Sequence, residues 1–236
     1  MAVLNNTGIR AGASGGGGGE PIEVANSLRF NDPDSAYLSR TFGVGNRKTW
    51  TWSGWVKRCD HGTEKQGLFG IAGSSVFIRF NNDDGGSGLR IIDSGNYDVI
   101  TTCKFRDTSA WYHIVVVLDT TENTDTDRIK LYVNGVREED WYGTPTWPGE
   151  DDDETINTSV GHVIGVANTD YYNGSLADVH FVDGTALDAS SFGMTDATTG
   201  QWVPKDCSED LTYGTNGFYL KFDNTSDLGE DSSGND

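Results

Sequence analysis

Residues 110–139 read AWYHIVVVLDTTENTDTDRIKLYVNGVREE, and this stretch restricts the fold more than any other. Residues 111–118 are a β-branched and aromatic run too short for a helix of ordinary length, and they stop at an Asp/Thr/Asn-rich loop, 119–127, which has nothing to bury. In residues 128–133, Ile129, Leu131 and Val133 recur at period two with Lys130 and Tyr132 opposite them, which sets one face for a core and the other for water. Asn134 and Gly135 both tolerate the positive φ of a type I′ turn, so the chain reverses there and Val136 begins the return strand.

The rest of the chain speaks the same language. Thirty-one glycines and many short apolar runs broken by Gly, Asn and Asp favour an all-β protein over any alternation of strand and helix, and 236 residues is an ordinary size for one sandwich. Residues 50–57 place Trp50, Trp52, Gly54 and Val56 on one face and Trp55 on the other, an aromatic density that belongs to a core. Residues 67–71, 76–80, 89–92 and 97–100 form a meander of hairpins. Residues 160–166 and 174–182 return to strand, and 202–205 is expected to lie extended over a sheet edge. Residues 141–149 make a loop carrying Trp141 and Trp147, followed by a solvated acidic run, 150–154.

Three words resemble those of the laminin-G/pentraxin-like modules in the concanavalin A-like lectin and glucanase superfamily. The strand opening W-x-H at Trp111 is followed by one ending L-Y-V-x-G at Gly135. Residues 50–57, WTWSGWVK, resemble that family's S-x-W-V-K strand. Residues 173–181, NGSLADVHF, resemble G-x-I-D-E-V-R-I with Ala177 and Asp178 where I-D would stand, and 187–192 resemble the turn that follows it. The likeness spans roughly residues 27–223 and implies a two-sheet antiparallel jelly-roll β-sandwich. It also implies that the opening strand, 27–30, and the closing one, 220–222, are antiparallel neighbours. Three segments are expected: a Gly-rich N-terminal anchoring arm at 1–26, the jelly roll at 27–223, and a polar tail or linker to a further module at 224–236.

Acidic residues outnumber basic ones 36 to 17, for a formal charge of −19. That balance repels nucleic-acid phosphates and anionic membranes, so neither is an expected partner. Cys59, Cys103 and Cys207 are too few and too scattered for a disulfide framework and are expected as free thiols, consistent with assembly in a reducing cell. The first residues carry neither a basic nor an apolar signal region, so export by an ordinary signal peptide is not expected, and no stretch is long enough to span a bilayer.

Three kinds of site are open. Glu150, Asp152 and Glu154 match the E-x-D-x-E spacing of β-glucan hydrolases formally. Read as solvated acids with no apolar face, they make a poor acid/base pair, so no catalytic residue is assigned. The family resemblance implies calcium as the one cofactor to consider, with Asp32, Asp34, Asp178, Asp223 and the loop 168–170 as oxygen donors; the alternative is that these cap hydrated turns. Aromatics beside Asp/Asn/Gly-rich loops, namely Tyr97, Trp141, Tyr142, Trp147, Tyr171 and Tyr172, are candidates to stack on a glycan.

Residues 27–41 and 174–193 further resemble modules of bacteriophage structural proteins, marine ones among them. That resemblance implies a non-enzymatic virion surface protein, such as a head fibre, decoration or tail-fibre component, assembled in the host cytoplasm. Its arm would dock through Val3, Leu4, Ile9 and Arg10 on other capsid or tail proteins, with the protein present as symmetric copies, and its jelly roll would project outward to surface glycans. The alternative is a secreted or cell-surface lectin-like adhesion module. A glucan hydrolase is the remote third.

Overall fold

The structure is a computed structural model, and it describes residues 21–61, 65–81, 86–207 and 210–235. The arm residues Val3, Leu4, Ile9 and Arg10 lie outside the described residues. In chain order the strands are β1 Leu28–Phe30, β2 Leu38–Thr41, β3 Thr49–Arg58, β4 Gln66–Ile71, β5 Val76–Asn81, β6 Gly88–Asp93, β7 Tyr97–Ile100, β8 Tyr112–Asp119 and β9 Ile129–Val133. They continue with β10 Val136–Glu138, β11 Gly161–Ile164, β12 Val166–Ala167, β13 Asp170–Tyr171, β14 Gly174–Asp183, β15 Gly193–Thr195, β16 Trp202–Pro204 and β17 Phe218–Leu220.

Two antiparallel sheets make the sandwich. One runs β1-β14-β3-β8-β9-β10 with β17 also on β14, and the other runs β2-β11-β4-β5-β6-β7. The organising stretch folds as its pattern dictates. Ile129 pairs with Leu118 and Val133 with Ile114, and the turn residues Asn134 and Gly135 take φ of 49° and 82°. Ile129 and Leu131 are fully buried in the central core with Trp50, Trp52, Phe69, Phe80 and Phe181, and Val133 packs against it. Burying side chains of this size stabilises by roughly 1.5–3 kcal/mol each, which is why alternation alone fixes the register.

The outer face of the first sheet departs from its sequence reading. Tyr132, expected in water, packs against a second core made of Val115, Val117, Val182, Phe192, Cys207, Tyr213 and Tyr219. This layer is built by residues 184–207 and 210–213 folding back over the sheet. Trp202 therefore lies across the face, its ring against Gly135 and Gly193 and its indole N–H donating to His113 Nδ1 at 3.0 Å, rather than over an edge. Period-two alternation fails here because both faces of β8 and β14 are buried.

Three other expectations are corrected. β1 and β17 do not pair with each other; they succeed one another along a single edge of β14, β1 on residues 174–176 and β17 on 179–181, with Asp178 at φ 51° in a bulge between them. Phe222 falls outside the closing strand at φ 58°. The run expected at 160–166 is broken at Gly165, φ 87°, and its remainder becomes the β12–β13 hairpin lying on β4, where a Cβ at Gly67 would come within 2.0 Å of the Ala167 backbone nitrogen. The segment read as a polar tail is docked. Ser232 N–H donates to Tyr219 O at 2.8 Å, and the Asn235 side-chain amide donates to Gly214 O and Gly217 O at 2.6 and 2.9 Å. At the other end, Ile22 N–H donates to Pro204 O at 3.1 Å, so residues 21–26 run along the domain surface.

Candidate functional site

The docked tail creates a concavity. β2 is the edge of one sheet and β17 the edge of the other, and the two edges do not close on each other. Between them opens a slot of about 540 Å³, within the usual range for small-ligand sites. Its floor is Phe42, Phe69, Ile164, Phe218 and Leu220. The register of β2 on β11 turns Leu38 and Arg40 toward the slot beside Ile164 and His162. Residues 225–231 form the far lip and bring Thr225, Ser226, Asp227 and Asp231 to its mouth.

The electrostatics of the slot are quiet. Arg40 Nη1 meets Asp231 Oδ2 at 2.9 Å across the mouth, while Asp231 Oδ1 accepts from Tyr219 N–H at 2.9 Å and so ties the lip to β17. His162 stacks on Phe42 at 3.8 Å. Burial lowers its pKa to about 4, and as a neutral ring it donates from Nδ1 to Val160 O (3.0 Å) and accepts Asn157 N–H at Nε2 (3.1 Å). The His162 ring is thus uncharged and both its nitrogens are spent on the protein.

The aromatics chosen from the sequence are not brought together. Tyr97 and Tyr172 are core residues, 2% and 0% exposed, with the Tyr172 hydroxyl donating to Lys57 O at 2.8 Å. A stacking role for them is corrected: aromatic side chains beside polar loops here close the core. Trp141 and Trp147 meet edge to face at 5.3 Å and pack on the core. Tyr142 is 48% exposed, with the Lys104 ammonium 5.8 Å from its ring centre. Tyr171 pairs at 6.4 Å with Tyr37, an exposed residue just before β2 that the sequence reading did not include.

The oxygen donors are likewise dispersed. Asp34 accepts from Asn31 Nδ2 at 2.6 Å, beside Asp32 in a short turn. Asp170 is engaged by Arg79. Asp178 is buried, accepts the Tyr219 hydroxyl at 2.7 Å and lies 3.4 Å from His180 Nε2. Asp223 borders a smaller groove that Asp178 also lines. Among the described residues no group of three or more His, Cys, Asp or Glu side chains is placed to hold a metal, and these donors do not fit a calcium cage.

The acidic run holds a surprise. Glu154 is not solvated but fully buried. Burial first, then the Asp93 carboxylate beside it, raises its pKa to about 7, against the donation of Asn96 Nδ2 to its Oε2 at 2.9 Å. Among the described residues the buried Tyr97 hydroxyl has no hydrogen-bond partner. Nothing in the E-x-D-x-E spacing signals this, because the burying groups come from the β6–β7 turn, some 60 residues earlier.

A family profile described as the concanavalin A-like lectin/glucanases superfamily matches residues 31–191. The chain belongs to that superfamily. Among solved structures it is similar to one described as a "putative carbohydrate binding protein" from Bacteroides ovatus (17% identity, TM-score 0.53), covering 79% of this chain and 59% of that one. It is also similar to a heptameric SAP-like pentraxin from Limulus polyphemus (17% identity, TM-score 0.51, 78% and 94%). A third is domain 4 of AbnA, an extracellular arabinanase of Geobacillus stearothermophilus, in complex with arabinotriose (19% identity, TM-score 0.52, 73% and 78%). These likenesses carry the fold. No curated protein matches the chain.

Proposed function

We propose that this chain is a non-catalytic carbohydrate-binding jelly roll displayed on a virion surface, and that the slot between β2 and residues 225–231 holds the sugar. The observation that carries the reading is the lining of the slot: an apolar floor of aromatic and aliphatic side chains under a mouth of Ser, Thr, Asp and Arg groups. A pyranose is amphipathic in the same sense, with C–H faces that pack on such a floor and hydroxyls that pair at such a rim. Two structural relatives, the Bacteroides ovatus protein and the arabinanase domain bound to arabinotriose, carry carbohydrate in their descriptions.

A binding role rather than a hydrolytic one is favoured by Glu154: among the described residues it is the carboxyl whose pKa is strongly raised, and it is buried away from any polysaccharide with Asp93. The virion setting is supported by the phage-like words at 27–41 and 174–193 and by the acidic composition. Repeated copies, as in the heptameric pentraxin relative, would turn weak single-site affinity into avidity.

Ser226 is exposed on the lip, and Ser226→Trp places an indole over the mouth without entering the core. On a glycan array the wild-type protein is expected to retain a subset of glycans and the variant to lose them by about tenfold or more. Equal retention by both would remove the slot from the reading.

A further inference from the structure

The depth and composition of the slot restrict which sugars it accepts. Phe42, Phe69, Ile164, Phe218 and Leu220 offer no side-chain polar atom, and His162, the polar group on the wall, has both ring nitrogens engaged by Val160 O and Asn157 N–H. A hydroxyl pushed to that floor gives up water and finds no partner, whereas a methyl group gains contact there. At the mouth Arg40 pairs with Asp231 at 2.9 Å and Asp227 stands beside them, so the lining carries no net positive charge, and a net charge of −19 disfavours an anionic ring.

We infer that the slot selects neutral hexoses that carry a methyl substituent, either as a 6-deoxy group or within an N-acetyl group, over fully hydroxylated hexoses and over uronic acids. This rests on the slot being the sugar site proposed above. The methyl points to the phenylalanine floor and the ring hydroxyls stay at the rim with Ser39, Thr225 and Asp227. A pocket of this kind discriminates by one to two orders of magnitude, since the favoured sugar gains a buried methyl and the disfavoured one strands a hydroxyl.

The test is a calorimetric titration of the whole chain with the free sugars rhamnose and N-acetylglucosamine, set against glucose, mannose and glucuronate. A preference of about tenfold or more for the first two, abolished in Ser226→Trp, is the expected result. Equal binding of all neutral sugars, abolished in the variant, overturns the methyl selection and leaves the slot as the sugar site. A preference that survives in Ser226→Trp places methyl recognition elsewhere and overturns the inference. Binding of none of the five overturns both readings.

Discussion

Asp178→Asn is expected to cost about 3 kcal/mol of stability, the low end of the range for breaking a buried ion pair by removing one partner. The substitution keeps the shape of the side chain and a residue type that accepts the left-handed conformation seen there, φ 51°. It removes the charge that His180 is built around. Burial opposes a charged imidazole, but Asp178, 3.4 Å from Nε2, outweighs it and raises the His180 pKa to about 9. Burial opposes the Asp178 carboxylate too, and His180 together with the Tyr219 hydroxyl holds its pKa below the usual 3.8.

The stability contributed by His180 is fully present below its ordinary pKa of 6.5 and is lost as pH rises through about 9; that contributed by Asp178 is present above 3.8 and lost as pH falls through its lowered value. Both are intact between 3.8 and 6.5. Chemical denaturation should therefore find wild type and variant furthest apart in that window and converging toward alkaline pH. A difference below about 1 kcal/mol at pH 6 would mean that the buried pair does not stabilise the fold.

Glu154→Gln should have the opposite character. The folded-state pKa of Glu154 is raised from 4.5 to about 7, so its contribution is fully present below 4.5 and is lost as pH rises through about 7. Above that, an ionised Glu154 sits buried beside Asp93, with Asp152 also adding repulsion. Wild type should lose on the order of 2 kcal/mol between pH 5 and pH 8 that the glutamine variant does not lose, which makes the variant the more stable protein at pH 8. Thermal melts of both across that range decide it. Parallel pH profiles would show that Glu154 titrates like a solvated acid.

Why some of this was legible in the sequence and some was not follows from the range of the forces involved. The 128–138 hairpin was readable because period-two burial and an Asn-Gly turn are local, and the structure places Ile129 and Leu131 in the core accordingly. Trp50 and Trp52 were readable as core for the same reason. Tyr132 was misassigned because the layer covering it arrives from residues 184–207 and 210–213. Tyr97 and Tyr172 were misassigned because an aromatic beside polar loop residues has the same local pattern whether it points out or in. The slot was invisible: it exists only where β2, β17 and residues 225–231 meet, and the last of these looked like a solvated tail. The Glu154–Asp93 contact joins residues far apart in the chain, and the Asp178–His180 pair, local on β14, is buried by Tyr213 and Tyr219 from beyond it.

The most direct test is amide chemical-shift mapping of the isotopically labelled chain during titration with the tightest-binding methyl-bearing sugar. A sugar held between the sheets should shift residues 38–42, 162–164 and 218–231 together and leave Tyr142 and Tyr171 unmoved. Shifts centred on Tyr142 or on Tyr37 and Tyr171, with the slot residues silent, would contradict it.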